Sequence, residues 1–132
     1  MTGLPRLSAA VLGTDDPHML AGFYRDLLGW DVVDDEPGWV MLRPAGGGTG
    51  LSFQGEVDHQ PPVWPQEPGS QQMQQHLDIE VGDLAAETQR ALELGARLAA
   101  HQPQHDVRVL LDPSGHPFCL WSRDVPGTTV GG

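Results

Sequence analysis

Apolar and polar residues alternate along the chain in two rhythms, one of period two and one of three-and-four, and the switches between them mark the elements. Leu7 to Gly13 (LSAAVLG) is a short apolar run of the kind a buried strand makes. Asp16-Pro17 follows, with a side-chain oxygen to accept from free backbone N–H groups and a proline that suits the first helical turn. Leu20, Phe23, Tyr24, Leu27 and Leu28 then recur at helical spacing and predict one buried helix face, closed by Gly29. Strands are predicted at Trp30 to Val33, at Trp39 to Leu42 up to Arg43-Pro44, and at Leu51 to Gln54, with the glycine run Gly46 to Gly48 before the last. Alternation puts the Trp39 indole on the strand face opposite Val40.

The same order then repeats. Gln75 to Val81 (QHLDIEV) alternates so that Leu77, Ile79 and Val81 share one face and His76, Asp78 and Glu80 the other, the pattern of a strand covered on one side. Asp83 is positioned to cap a second helix that carries Leu84, Thr88, Ala91 and Leu92 and ends at Gly95. Strands are predicted at Arg97 to Ala100, Val107 to Leu111 and Phe118 to Trp121, with the turn Asp112-Pro113-Ser114-Gly115 before the last. Each half reads strand, helix, three strands, and the two capping aspartates set an offset of 67 residues. That is longer than solenoid repeats and indicates a duplicated module. One helix and four short strands are too little to bury both faces of a sheet, so the halves are expected to form one body. The chain is therefore read as a single domain, 1–132, with module one at 6–56, a connector at 57–73, module two at 74–123 and a tail at 124–132. The connector (VDHQPPVWPQEPGSQQM) carries four prolines, which exclude a helix or central strand, and its Trp64 is expected to turn inward as part of a covering loop. The last residues, 125–132, are expected to fray.

Composition narrows the partners. Seven Lys+Arg against 18 Asp+Glu give a formal net charge of -11, which disfavours nucleic acid and anionic membrane surfaces. No run approaches the roughly 18 to 20 apolar residues of a membrane span, and the first residues lack the regions of a signal peptide, so a cytoplasmic protein is expected. The single cysteine, Cys119, excludes an internal disulfide and CxxC chemistry. With 132 residues there is room for one ordinary domain, and 17 Gly with 12 Pro point to many turns between short elements. No Ser-His-Asp order, P-loop or dinucleotide fingerprint is present, since Gly46 to Gly48 opens no helix and lacks the lysine.

FYRDLLGW (Phe23 to Trp30), HLDIEVGDL (His76 to Leu84), LGA (Leu94 to Ala96) and DPSGHPFCLW (Asp112 to Trp121), in that order and with PPVWP between, resemble the vicinal oxygen chelate superfamily in its glyoxalase-like branch. The superfamily contains glyoxalase I, bleomycin-resistance proteins and extradiol dioxygenases. The resemblance, over about residues 6 to 123, implies an α+β fold of two tandem βαβββ modules whose curled mixed sheets surround a cleft. It also implies a homodimer and, in catalytic members, a divalent metal held by both modules. Carried onto this sequence residue by residue, the metal pattern is matched at His76 alone. The equivalent position 67 residues earlier is Ala9, the first module's last strand offers Ser52 with Gln54 a same-face step further, and the final strand's usual glutamate falls on Cys119.

These departures lead to a small-molecule binding protein for a metabolite or antibiotic, with a degenerate metal site and no cofactor. The expected ligand pocket is Ser52, Gln54, Trp39, Trp64, His76, Asp78 and Cys119. The alternative is a lyase, isomerase or dioxygenase with His76 catalytic. It would use His76 either as a metal-free base or as a ligand to Zn, Ni, Mn or Fe in a displaced site with Gln54, Glu56 or Asp78. A third reading is an interaction module with a vestigial cleft. Trp30 and Trp121 are assigned to the core beneath the helices, and Trp39 and Trp64 to stacking on a planar ligand. Cys119 in its apolar run reads first as packing, His116 as a turn residue, and His101 and His105 around Pro103 as a solvated loop.

Overall fold

A computed structural model describes residues 3–124, which form two compact units that divide after His59, inside the proline-rich connector. In the first unit β1 (Ala9–Thr14), α1 (Pro17–Leu28), β2 (Asp31–Glu36), β3 (Trp39–Arg43) and β4 (Gly50–Gly55) follow in chain order. The sheet order is β1-β4-β3-β2, with β1 parallel to β4 and the other pairs antiparallel. In the second unit β5 (Leu77–Glu80), α2 (Leu84–Leu94), β6 (Arg97–Leu98), β7 (Val107–Leu111) and β8 (Pro117–Trp121) repeat that order, as β5-β8-β7-β6 with β5 parallel to β8. The tandem βαβββ modules and the offset read from the capping aspartates are both present. The tail expected to fray, 125–132, lies outside the described residues.

Both helices begin as the sequence directs. Asp16 Oδ1 accepts from the Met19 N–H at 3.1 Å, and Asp83 Oδ1 from the Ala86 N–H at 3.0 Å. Each satisfies one of the orphan donors of a first turn. Gly29 closes α1 at φ 72°, where a side chain would be strained, and its N–H donates to the Arg25 carbonyl.

One face of each sheet carries its helix. In the first unit Leu20, Phe23, Tyr24 and Leu27 of α1 are buried, as are Val40, Leu42, Leu51 and Phe53 of the sheet. Tyr24 stacks on Phe53 with centroids 5.7 Å apart, and Phe23 meets Tyr24 edge-on at 4.9 Å. In the second unit Leu84 and Ala91 of α2 are buried, with Leu110, Phe118 and Leu120 on the sheet. These sheet residues share one parity, so Trp39, Met41, Arg43, Ser52 and Gln54 in one unit, and Asp78, Cys119 and Trp121 in the other, belong to the faces without a helix.

The indoles differ from expectation. Trp30 and Trp121 are half-buried and neither is in the core. Trp121 shares the parity of Cys119 rather than of Phe118 and Leu120, and the Arg123 guanidinium lies 5.1 Å from its ring centroid, a cation–π contact. The connector forms no helix or strand, as its prolines require; Val63 N–H donates to Gln71 O at 2.9 Å and Ser70 N–H to Glu67 O at 3.1 Å.

Candidate functional site

In the second unit three sequence-predicted residues converge. His76 immediately precedes β5, Asp78 lies within it, and the parallel ladder sets Asp78 directly beside Cys119 of β8. The His76 Nε2 is 3.1 Å from Asp78 Oδ1. One ligand atom from each of His76, Asp78 and Cys119 lies within 4.8 Å of the others. His76 and Asp78 are exposed and Cys119 is half-buried, so the group is reachable from solvent.

Burial raises the Cys119 thiol from its ordinary 9.0 to about 11, and the Asp78 carboxylate adds to the rise through its charge and a hydrogen bond with the thiol. At neutral pH the sulfur is therefore a protonated donor toward Asp78 and a poor nucleophile. What the trio offers is a hydrogen-bonding edge of imidazole, carboxylate and thiol, or, once the thiol gives up its proton, the N, O and S donors that zinc takes.

The first unit gathers the other set. Trp39 pairs with Gln54, and Met41 with Ser52, across the β3–β4 ladder, so all four occupy the face without a helix. Ser52 is only 1% exposed and its Oγ has no hydrogen-bond partner, whereas Gln54 is open to solvent. Glu56, a candidate partner for a displaced metal, lays its carboxylate over Gly13, with Oε2 2.5 Å from where a Cβ would stand. Arg43 completes this face and was passed over in the sequence, where it reads as the end of a strand beside Pro44.

Trp64 is half-buried, its Nε1 is shielded without a hydrogen-bond partner, and its ring centre is 6.3 Å from that of His101. His116 behaves as the turn residue expected: its N–H donates to Asp112 Oδ1 at 3.0 Å, beside Gly115 at φ 90°. A cavity of 510 Å³ opens at the start of α2, lined by Asp83, Thr88, Gln89, Arg108 and Asp124 among others, and holds none of the predicted site residues. Two of its polar groups are engaged, since Asp83 caps the helix and Arg108 Nη1 donates to the carbonyls of His105 and Val107, while the buried Thr88 Oγ1 has no hydrogen-bond partner. The chemistry concentrates instead on the two open sheet faces.

Two βαβββ modules, each a mixed four-stranded sheet with one helix, have the glyoxalase/bleomycin resistance fold. The chain belongs to the glyoxalase-like domain family, which matches it over residues 9–121. A glyoxalase/bleomycin resistance protein/dioxygenase family enzyme from Burkholderia phytofirmans PsJN is similar at 18% identity and TM-score 0.67, over 89% of this chain and 98% of its own. TnmS3, an antibiotic binding protein from Streptomyces sp. CB03234, gives 19% and 0.60 over 92% and 98%. The bleomycin resistance determinant encoded on transposon Tn5 gives 20% and 0.59 over 92% and 100%. These likenesses are of fold. No curated protein matches the sequence.

The four positions that the superfamily resemblance implies for a divalent metal can be compared directly with the residues present. The repeat aligns Ala9 with His76 and Ser52 with Cys119, and the ladders agree, since Val11 pairs with Ser52 as Asp78 pairs with Cys119. The four positions thus carry a methyl, a hydroxyl, an imidazole and a thiol. A hard divalent ion needs charged oxygen or imidazole donors, and only one of the four supplies one.

Proposed function

We propose that the protein binds a small organic molecule, a metabolite or an antibiotic, through the open sheet faces of its modules and without the family's divalent metal. The observation that carries this reading is the donor set at Ala9, Ser52, His76 and Cys119, in which hydrogen-bonding and apolar groups stand where charged ligands are needed. Support also comes from two proteins of the same fold, one described as antibiotic binding and one as a bleomycin resistance determinant. Trp39, Ser52 and Gln54 are the ligand-facing residues of one module, and His76, Asp78 and Cys119 those of the other, with Trp64 of the connector. A homodimer is part of the proposal and sedimentation velocity tests it. The test of binding is saturable quenching of tryptophan fluorescence by a panel of planar aromatics and natural products, repeated in EDTA. Quenching that survives chelation supports the reading; the absence of any binding across the panel overturns it.

A second reading is favoured by the closeness of His76, Asp78 and Cys119: a lyase, isomerase or dioxygenase with a non-standard metal site around His76. Stoichiometric metal in protein purified without an affinity tag, lost in His76→Ala, would establish it. Turnover that persists in His76→Ala would remove it.

A further inference from the structure

We infer that the ligand of the first module's open face is an elongated amphipathic carboxylic acid, whose carboxylate is held by Arg43 and Ser52 and whose apolar body runs along β3 over Met41 toward Trp39. The inference rests on the small-molecule reading above and names the chemical class that the face would select.

Arg43 ends β3 on the same face as Met41 and Trp39, because strand side chains alternate. Its stem crosses onto β4 at Gly50. A Cβ at position 50 would stand 2.9 Å from Arg43 Cγ and would also collide with the Leu42 carbonyl, so glycine is what lets the side chain lie there. Across the other ladder Arg43 is in register with Asp31, yet makes no ion pair with it. The Arg43 stem thus leans over β4 at Gly50 rather than toward the acidic edge strand. Arg25, Arg90 and Arg123, by contrast, are each paired with a nearby carboxylate.

Two donors on this face are shielded from water and unpartnered, Arg43 Nε and Ser52 Oγ. A buried donor left unmade is costly, and a hydroxyl and a guanidinium edge ask for the same partner, an anionic acceptor. A carboxylate satisfies both: one oxygen takes the Nε–H with its neighbouring Nη–H, and the other takes the serine hydroxyl. Ser52 sits opposite Met41, which places it on a diagonal from Arg43, roughly 7 to 8 Å away and within reach of that long side chain. From Arg43 to Trp39 the strand advances roughly 13 Å at about 3.3 Å per residue. Met41 springs from midway and lays its methyl toward Gly50 beside the Arg43 stem, and the indole stands at the other end, a track for a flat apolar body of about two to three fused rings. The carboxylates of Asp31, Asp34 and Glu36 flank the track from β2, in register with Arg43, Met41 and Trp39, and disfavour any negative charge on the ligand beyond the one that the Arg43 guanidinium offsets.

The test compares 2-naphthoate with 2-naphthamide, which share shape and differ in charge, by calorimetry on the full chain. Naphthoate is expected to bind at least about tenfold more tightly, as a charge-assisted contact with the guanidinium requires. Arg43→Gln should bring naphthoate to the level of naphthamide and leave naphthamide unchanged. Arg43→Lys should keep part of the preference, and Ser52→Ala should weaken naphthoate by a smaller factor. Far-UV melting of each variant separates lost binding from lost folding. Equal affinities in the unaltered protein, or a preference that persists in Arg43→Gln, overturn the carboxylate inference and leave small-molecule binding standing. Failure of both probes at about 1 mM, together with failure of the whole panel above, overturns both.

Discussion

At the scale of single residues, the open faces owe their chemistry to neighbours that alternation alone does not reveal. Ser52 and Gln54 have the same parity and read alike in the sequence, but one is 1% exposed and the other open to solvent. Parity was legible; depth was not, because depth depends on what lies over each position. Arg43 was missed for a related reason, since its role appears only once Gly50 is seen beneath its stem. Cys119 shows how a neighbour decides reactivity. Its folded pKa is about 11 against an ordinary 9.0, from burial first and Asp78 second. Its alkylation by iodoacetamide at pH 8 in EDTA should thus be about a hundredfold slower than that of an unperturbed thiol, and should rise through pH 11. Asp78→Asn should move that rise to lower pH, measured as the alkylation rate against pH. The linkage has a definite sign. A raised thiol pKa stabilises the fold below pH 9, where folded and unfolded thiols are both protonated, and that contribution is lost as pH climbs from 9 to about 11.

At the scale of elements, caps and periods were the readable part. Asp16 and Asp83 start the two helices as their positions imply, and replacing either with alanine should cost about 1 kcal/mol in chemical denaturation. The register of the sheets was less readable. Both parallel pairs, β1 with β4 and β5 with β8, join strands far apart in sequence, and nothing local announces that Asp78 meets Cys119. Indole placement is hidden for the same cause: an indole such as Trp121 suits a core by its apolar area, whereas its parity with Cys119 sends it to the face without a helix. Gly50 makes the register testable. A methyl there must displace the backbone carbonyl of Leu42 and the stem of Arg43, one of them rigid. Gly50→Ala should therefore destabilise by about 1–3 kcal/mol, the range for overpacking. Gly22→Ala, in the interior of α1 with nothing within 4 Å of its added Cβ, should be neutral or stabilising. Equal effects of the two would mean that the strands are registered otherwise.

At the scale of the whole molecule, the duplication was legible because aspartate caps, helix lengths and the final strands all repeat with one offset, and the family match over 9–121 agrees. The net charge of -11 is the other global property, and it sets two electrostatic effects against each other. Salt weakens the repulsion among 18 acids, and it equally weakens the ion pairs Arg25–Asp26 and Arg123–Glu80. Those pairs are exposed or nearly so, and such pairs contribute little. The repulsion is concentrated, since β2 alone carries Asp31, Asp34, Asp35 and Glu36 in six exposed residues with no cation on that strand. Repulsion should win. Raising NaCl from about 10 to 150 mM shortens the screening length from roughly 30 to 8 Å, and the melting temperature should rise with it. Asp34→Asn should raise the melting temperature at low salt and shrink its salt dependence, because it removes one charge from the middle of the cluster. A melting temperature that falls with salt would instead show that the surface ion pairs outweigh the repulsion, and that the acidic strand has cationic partners in solution.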